Sequence, residues 1–157
     1  MYKFIIAAIA AFSLTIACSH SHTISTQDGG SVTVDKGKDG ASSIHAEGKD
    51  GATVDINTGK SITDYPSDVP LYTGKAAMDM KSGEKHGRVV MLQTPDSLDK
   101  INGFYKSELE SKGWKVETTL NTEKMVMYKA SKDNRDLVVQ IGTDGTQQSI
   151  SQTLADK

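Results

Sequence analysis

Three Asp-Gly pairs, Asp28-Gly29, Asp39-Gly40 and Asp50-Gly51, recur eleven residues apart and divide residues 26–58 into three units. Asp-Gly is a strong hairpin signal, because a two-residue type I′ turn needs positive φ at both central positions and these residues tolerate it. Between the pairs run short stretches of β-type alternation: Val32 and Val34, Ile44 and Ala46, Val54 and Ile56. One strand and one turn account for the eleven. The middle unit is out of phase, its apolar pair standing five and seven after its Asp where the other units have four and six. In a meander this slip is expected to put Ile44 on the opposite pleat unless a bulge or longer turn corrects it. Six apolar side chains, at about 1.5–3 kcal/mol each when fully buried, cannot offset about 1–2 kcal/mol of ordering entropy per residue over the repeat. The segment is therefore expected as a floppy ribbon or as strands leaning on something else. Calcium is not expected: the spacing is not that of the nine-residue β-roll, and the Glu of an EF-hand loop is missing.

The chain begins "MYKFIIAAIAAFSLTIAC", one Lys ahead of an apolar run that stops at the only cysteine. A run this short has the shape of a signal peptide over residues 1–17 and not of a spanning helix, which needs about 20 apolar residues. Cys18, preceded by Ile16 and Ala17, resembles the lipobox of bacterial lipoproteins, with Thr15 where that pattern usually has Leu. The resemblance implies that Cys18 is acylated, palmitate included, and becomes the mature N-terminus. Its partner would be the membrane, reached through an N-terminal lipid. Ser19, and not Asp, at the second mature position implies the outer membrane of a bacterial cell envelope, facing the periplasm. Residues 18–27 are expected as the lipidated cysteine and a flexible tether.

Loss of residues 1–17 removes Lys3 and leaves 17 basic against 20 acidic residues, scattered among one another. Nucleic-acid binding needs clustered cations and is not expected. With no second cysteine an internal disulfide is impossible, so stability must come from packing.

Residues 28–60 are poor in large apolar groups, whereas residues 61–157 hold all three prolines, the Trp and the aromatic side chains of the mature chain. This second segment reads as a compact α+β domain. "TPDSLDKINGFYKSELESKG" predicts a helix with Thr94 as N-cap, Pro95 at the first helical position, and Lys112 and Gly113 at its end. Leu98, Ile101, Tyr105 and Leu109 share one face. Strand-like runs cover 76–81, 88–93, 114–119, 124–130, 136–141 and 148–154, separated by turn signals. The expectation is a mostly antiparallel sheet with one helix packed on one face, in the order β-β-α-β-β-β-β, preceded by the Gly/Asp-rich β-repeat segment.

"PSDVPLY" at 66–72 and "FYKSELESKGW" at 104–114 resemble a group of small bacterial secreted proteins and lipoproteins of uncharacterised function. Members often carry an Asp-Gly-punctuated stretch ahead of the same domain, and the resemblance spans most of residues 28–154. Thr73 and Lys75 depart from the Pro-Gly-Ala that more often follows the Tyr. The resemblance implies no catalytic residues.

Enzyme chemistry needs a nucleophile, a base and a group to orient it. No Gly-x-Ser-x-Gly, His-Glu-x-x-His or phosphate-cradling Gly loop is present, and no cofactor is expected. His20 and His22 form a His-x-His pair suited to Zn but lack a third ligand. Met78 with Met80, and Met125 with Met127, are i,i+2 pairs that each point to one strand face, and Met91 offers a fifth thioether; soft thioethers select Cu(I). Half-buried strands show the same period, and Met is an ordinary gap-filler.

Runs such as Val89-Val90-Met91-Leu92 and Met125-Val126-Met127-Tyr128 put apolar side chains on both faces, so these strands are expected to be central. One helix cannot cover two apolar faces. Val90, Leu92, Val126 and Tyr128 are the expected second patch, to be covered by the repeats, by an envelope partner or by self-association. The chain is thus expected to be a lipid-anchored, non-enzymatic binding or structural module, with an envelope metal-binding protein as the alternative.

Overall fold

The computed structural model describes residues 21–37, 40–83 and 87–157. Cys18, His20 and His86 lie outside them. Ten strands and one helix follow in the order β1 (Ser21–Ser25), β2 (Ser31–Lys36), β3 (Ser42–Glu47), β4 (Thr53–Thr58), β5 (Lys75–Ser82), β6 (Gly87–Thr94), α1 (Leu98–Ser111), β7 (Lys115–Asn121), β8 (Met125–Lys132), β9 (Arg135–Asp144) and β10 (Gln147–Asp156). All strands join one antiparallel sheet in the order β1-β2-β3-β4-β5-β6-β10-β9-β8-β7. The mostly antiparallel sheet with a single helix is thus present. Over the described chain the order is six strands, the helix and four strands, because the repeats add their strands to the same sheet.

The N-terminal meander revises two expectations and meets a third. Ser21–Ser25 is a strand paired with β2 and not part of a tether. Its turns hold three residues: Gly29 N–H donates to Thr26 O and Thr26 N–H to Gly30 O, and the same pattern closes Gly48 to Ala52. Gly29, Gly40 and Gly51 take φ of 85°, 74° and 81°, the left-handed position of a type I turn with a G1 bulge. The phase slip is met by the longer turn, one of the two corrections that the spacing calls for. Eleven is odd, and in this meander Val34 pairs with Ile44 and Ile44 with Ile56, so residues of one parity share a face. A unit that repeated in phase would send its apolar pair to the other side. The slip of Ile44 and Ala46 is what keeps all six apolar residues together.

α1 begins three residues later than the sequence suggests. Ser97 is the N-cap, its side chain accepting from Lys100 N–H at 3.3 Å, while Thr94 Oγ1 accepts from Asp96 N–H in the turn before it. Both hydroxyls suit a cap; the one further along wins. At the other end Gly113 has φ 75° and Trp114 N–H returns to Leu109 O.

Ile101, Tyr105 and Leu109 of α1 are fully buried against Val126, Tyr128 and Ala130 of β8 and Leu137, Val139 and Ile141 of β9. Residues 59–74 form a strap against the same sheet face beside the helix. Gln152, fully buried on β10, donates to Pro70 O at 2.6 Å and accepts from the Tyr105 hydroxyl at 3.2 Å. Arg88 on β6 donates to Thr63 O and Asp64 O. Helix and strap together close this face.

Candidate functional site

The strap is built from the "PSDVPLY" stretch, and its partners come largely from the "FYKSELESKGW" stretch. Trp114 Nε1 donates to Asp68 O at 2.7 Å, Lys112 Nζ to Ser67 O at 2.7 Å, and the Tyr72 ring meets Phe104 edge-on at 5.0 Å. Arg135 and Lys132 donate to the Asp68 carboxylate, and hydrogen bonding from Arg135 holds that carboxyl well below the usual range. The Tyr72 hydroxyl donates to Asp96 at 2.6 Å, and burial, with that bond, pushes its pKa up to about 12. Burial likewise raises Tyr65 and Tyr105. The Asp68 and Tyr72 groups are held by structural neighbours, so the constellation ties the strap to the helix ends and to β8 and β9.

Two concavities flank Leu71. One, of about 470 Å³, is lined by Lys60, Ile62, Tyr72 and Lys75 among others; the second, of about 350 Å³, lies between Tyr65, Val69, Phe104 and Lys112. Both open broadly to solvent. Among the described residues no hydroxyl lining either one is hydrogen-bonded to a lining base; Lys112 in the second donates to the main-chain oxygen of Ser67.

A β-bulge in β5 decides what each sheet face carries. Ala76 pairs with Leu92, and Met78 with Met91, so Ala77 is the extra residue. Without it Met78 and Met80 would point beneath the strap. With it, Asp79 turns inward beside Val90, where Arg88 grips it with two bonds of 2.8 and 2.7 Å. Both residues are buried, and the guanidinium also lies 4.9 Å from the Tyr65 ring centroid. Met78 and Met80 turn outward.

The outward face is apolar along much of its width. Pairing aligns Ile24, Val32 with Val34, Ile44 with Ala46, Val54 with Ile56, Met78 with Met80, and Val89 with Met91 on six successive strands. Except for Ile24, which is 66 % exposed, each is half-buried by its neighbours alone. Ser149, Ser151 and Thr153 of β10 interrupt the row before Val138, Met125, Met127 and Leu120 resume it. On the other side of β1–β4 the side chains are polar: Thr23 and Thr33 share a hydrogen bond, and His45 Nδ1 lies 2.6 Å from Asp55, which raises the imidazole pKa. Among the described residues nothing packs on the apolar side.

The expected patch residues sit on the opposite face. Val90, Leu92, Val126 and Tyr128 are at most 5 % exposed beneath helix and strap, because the inward phase of these strands is the one continuous with Ile150 and Leu137. Their neighbours Val89, Met91, Met125 and Met127 face outward. The repeats extend the sheet sideways and do not cover it. β6 is central as expected, whereas β8 is next to the edge. Trp114 precedes β7, whose seven residues are all exposed. Met78 and Met80 lie on β5 and Met125 and Met127 on β8, four strands apart. His22 stands exposed on β1, opposite Val34. Among the described residues no group of three or more His, Cys, Asp or Glu converges as a metal site, and no helix is long and apolar enough to cross a membrane.

A START domain-like family model matches residues 75–149, from the first residue of β5 through α1 into β10. No curated protein and no solved structure matches the chain.

Proposed function

We propose that this chain is a lipid-anchored protein of the bacterial cell envelope that acts without catalysis, binding a partner on the helix-free face of its sheet. The carrying observation is the row of outward apolar side chains on six adjacent strands. An uncovered apolar surface of several hundred Å² is a feature of interaction sites. The interior between helix and sheet is filled by Ile101, Tyr105 and Leu109, which leaves the outer surfaces for binding. Anchoring rests on the signal-like N-terminus and Cys18. β1 begins three residues after that cysteine, which would hold the start of β1 within about 10 Å of the bilayer.

A photo-crosslinking amino acid at Ile44 or Val89 is expected to capture a partner in intact envelopes, while the same group at Lys106 on the exposed flank of α1 is not. Equal capture from both sides, or none from the sheet, would refute the assignment. The anchor is tested separately by labelled palmitate: incorporation is expected in the wild type and lost in Cys18→Ser, and an unlabelled wild type would remove it.

A further inference from the structure

The described residues include five methionines, Met78, Met80, Met91, Met125 and Met127, and all five face outward on the uncovered side of the sheet. Gap-filling in a core is the usual use of Met. It does not account for these, since no second layer lies over them among the described residues. Three of them are neighbours: Met78 stands directly opposite Met91, and Met80 lies two residues along the same strand, opposite Val89. Directly opposed Cβ atoms are about 5 Å apart, and i,i+2 positions about 6.6 Å. With three rotatable bonds in each side chain, sulfurs so placed are within reach of one point. The Ala77 bulge puts them there, and such bulges recur where a strand re-aims side chains beside a site.

We propose that Met78, Met80 and Met91 form a binding site for Cu(I). Thioether sulfur is soft and uncharged, and three such donors select Cu(I) over harder divalent ions. The ladder neighbours on this face, Ile56 and Thr58 on β4, Val89 on β6 and Ser151 on β10, supply no carboxylate or imidazole that would favour zinc. On this face of the strand the nearest charge is Lys75, paired with Gln93; Asp79 and Lys81 are turned to the other face, where Arg88 holds Asp79. Met125 and Met127 offer only two sulfurs, about 19 Å away across four strand spacings. Gln140 Nε2 already donates to the sulfur of Met127 at 3.7 Å. This site does not depend on lipidation or on a protein partner.

Cu(I) titrated anaerobically into the purified mature protein against a chromophoric Cu(I) chelator is expected to load one ion per chain. The triple variant Met78→Leu, Met80→Leu, Met91→Leu should weaken binding by more than the ~100-fold that loss of a merely supporting group costs. Leu conserves volume, so the variant should keep the wild-type circular dichroism and thermal midpoint. Met125→Leu, Met127→Leu should leave affinity unchanged. Because a thioether carries no proton to displace, affinity should be the same at pH 5.5 and pH 7, unlike a Cys or His site. No copper retained against the chelator, full retention by the folded triple variant, or loss in the Met125/Met127 variant would each overturn the proposal.

Discussion

The N-terminal meander and the helix-backed half share one sheet and are stabilised in different ways. Among the described residues every buried hydrophobic side chain lies between Val69 and Leu154, and none belongs to β1–β4. The meander has a backbone ladder, one half-buried apolar face and a polar one, while β6, β8, β9 and β10 have a core beneath α1 and the strap. A strand without a core can still be ordered when it is added to the edge of one that has it. The cost is low local stability, and the gain is an extended face with nothing on it.

That contrast is broken most severely from the core side. Tyr105→Ala removes a fully buried ring and its bond to Gln152, and should cost about 3–5 kcal/mol in chemical denaturation. Ile44→Ala, on the meander, should cost about 1 kcal/mol or less, because little of its surface is fully withdrawn from water. Equal losses would mean that the meander is part of the core.

Arg88→Met comes next. It leaves the Asp79 carboxylate buried without its cation and frees the carbonyls of Thr63 and Asp64, for an expected loss of about 3–5 kcal/mol. Part of this should return in Arg88→Met, Asp79→Leu, where no charge is stranded. Gly51→Ala strains a left-handed turn by about 1–2 kcal/mol. Its effect should be confined to faster hydrogen exchange in β3 and β4, with β9 and β10 unchanged.

The smallest effect depends on pH. The Asp68 carboxyl is depressed in the folded chain, so its contribution is complete above about pH 4 and is lost as pH falls through the folded value. Asp68 is a third exposed, and solvent screening holds the contribution to about 1 kcal/mol. Asp68→Asn should therefore be less stable than wild type at pH 6, with the gap closing as pH falls below 4.

The helix was legible because Ile101, Tyr105 and Leu109 keep one period, and the strands because turn residues separate them. The stretches at 66–72 and 104–114 are strap and helix end in contact, which their spacing in the sequence did not show. What stayed hidden was parity. Whether an eleven-residue unit needs a phase slip depends on the odd turn between strands, and three-residue and two-residue turns both accept Asp-Gly. The bulge at Ala77 left no mark, since Ala76 and Ala77 are alike. Val89-Val90-Met91-Leu92 is apolar in both phases, so only the tertiary fold could say which phase lies under the helix. Met91 could be counted as a fifth thioether, but its place opposite Met78 needed the register.

Methionine oxidation tests the open face most directly, because its reporters are already in place. Dilute hydrogen peroxide should convert Met78, Met80, Met91, Met125 and Met127 to sulfoxides in the purified mature protein, since all five face outward. In intact cells Met78, Met80 and Met91 should be protected by whatever occupies that face. Equal oxidation of these three in cells and in solution would contradict the binding-face assignment, and resistance in the purified protein would contradict the exposed face itself.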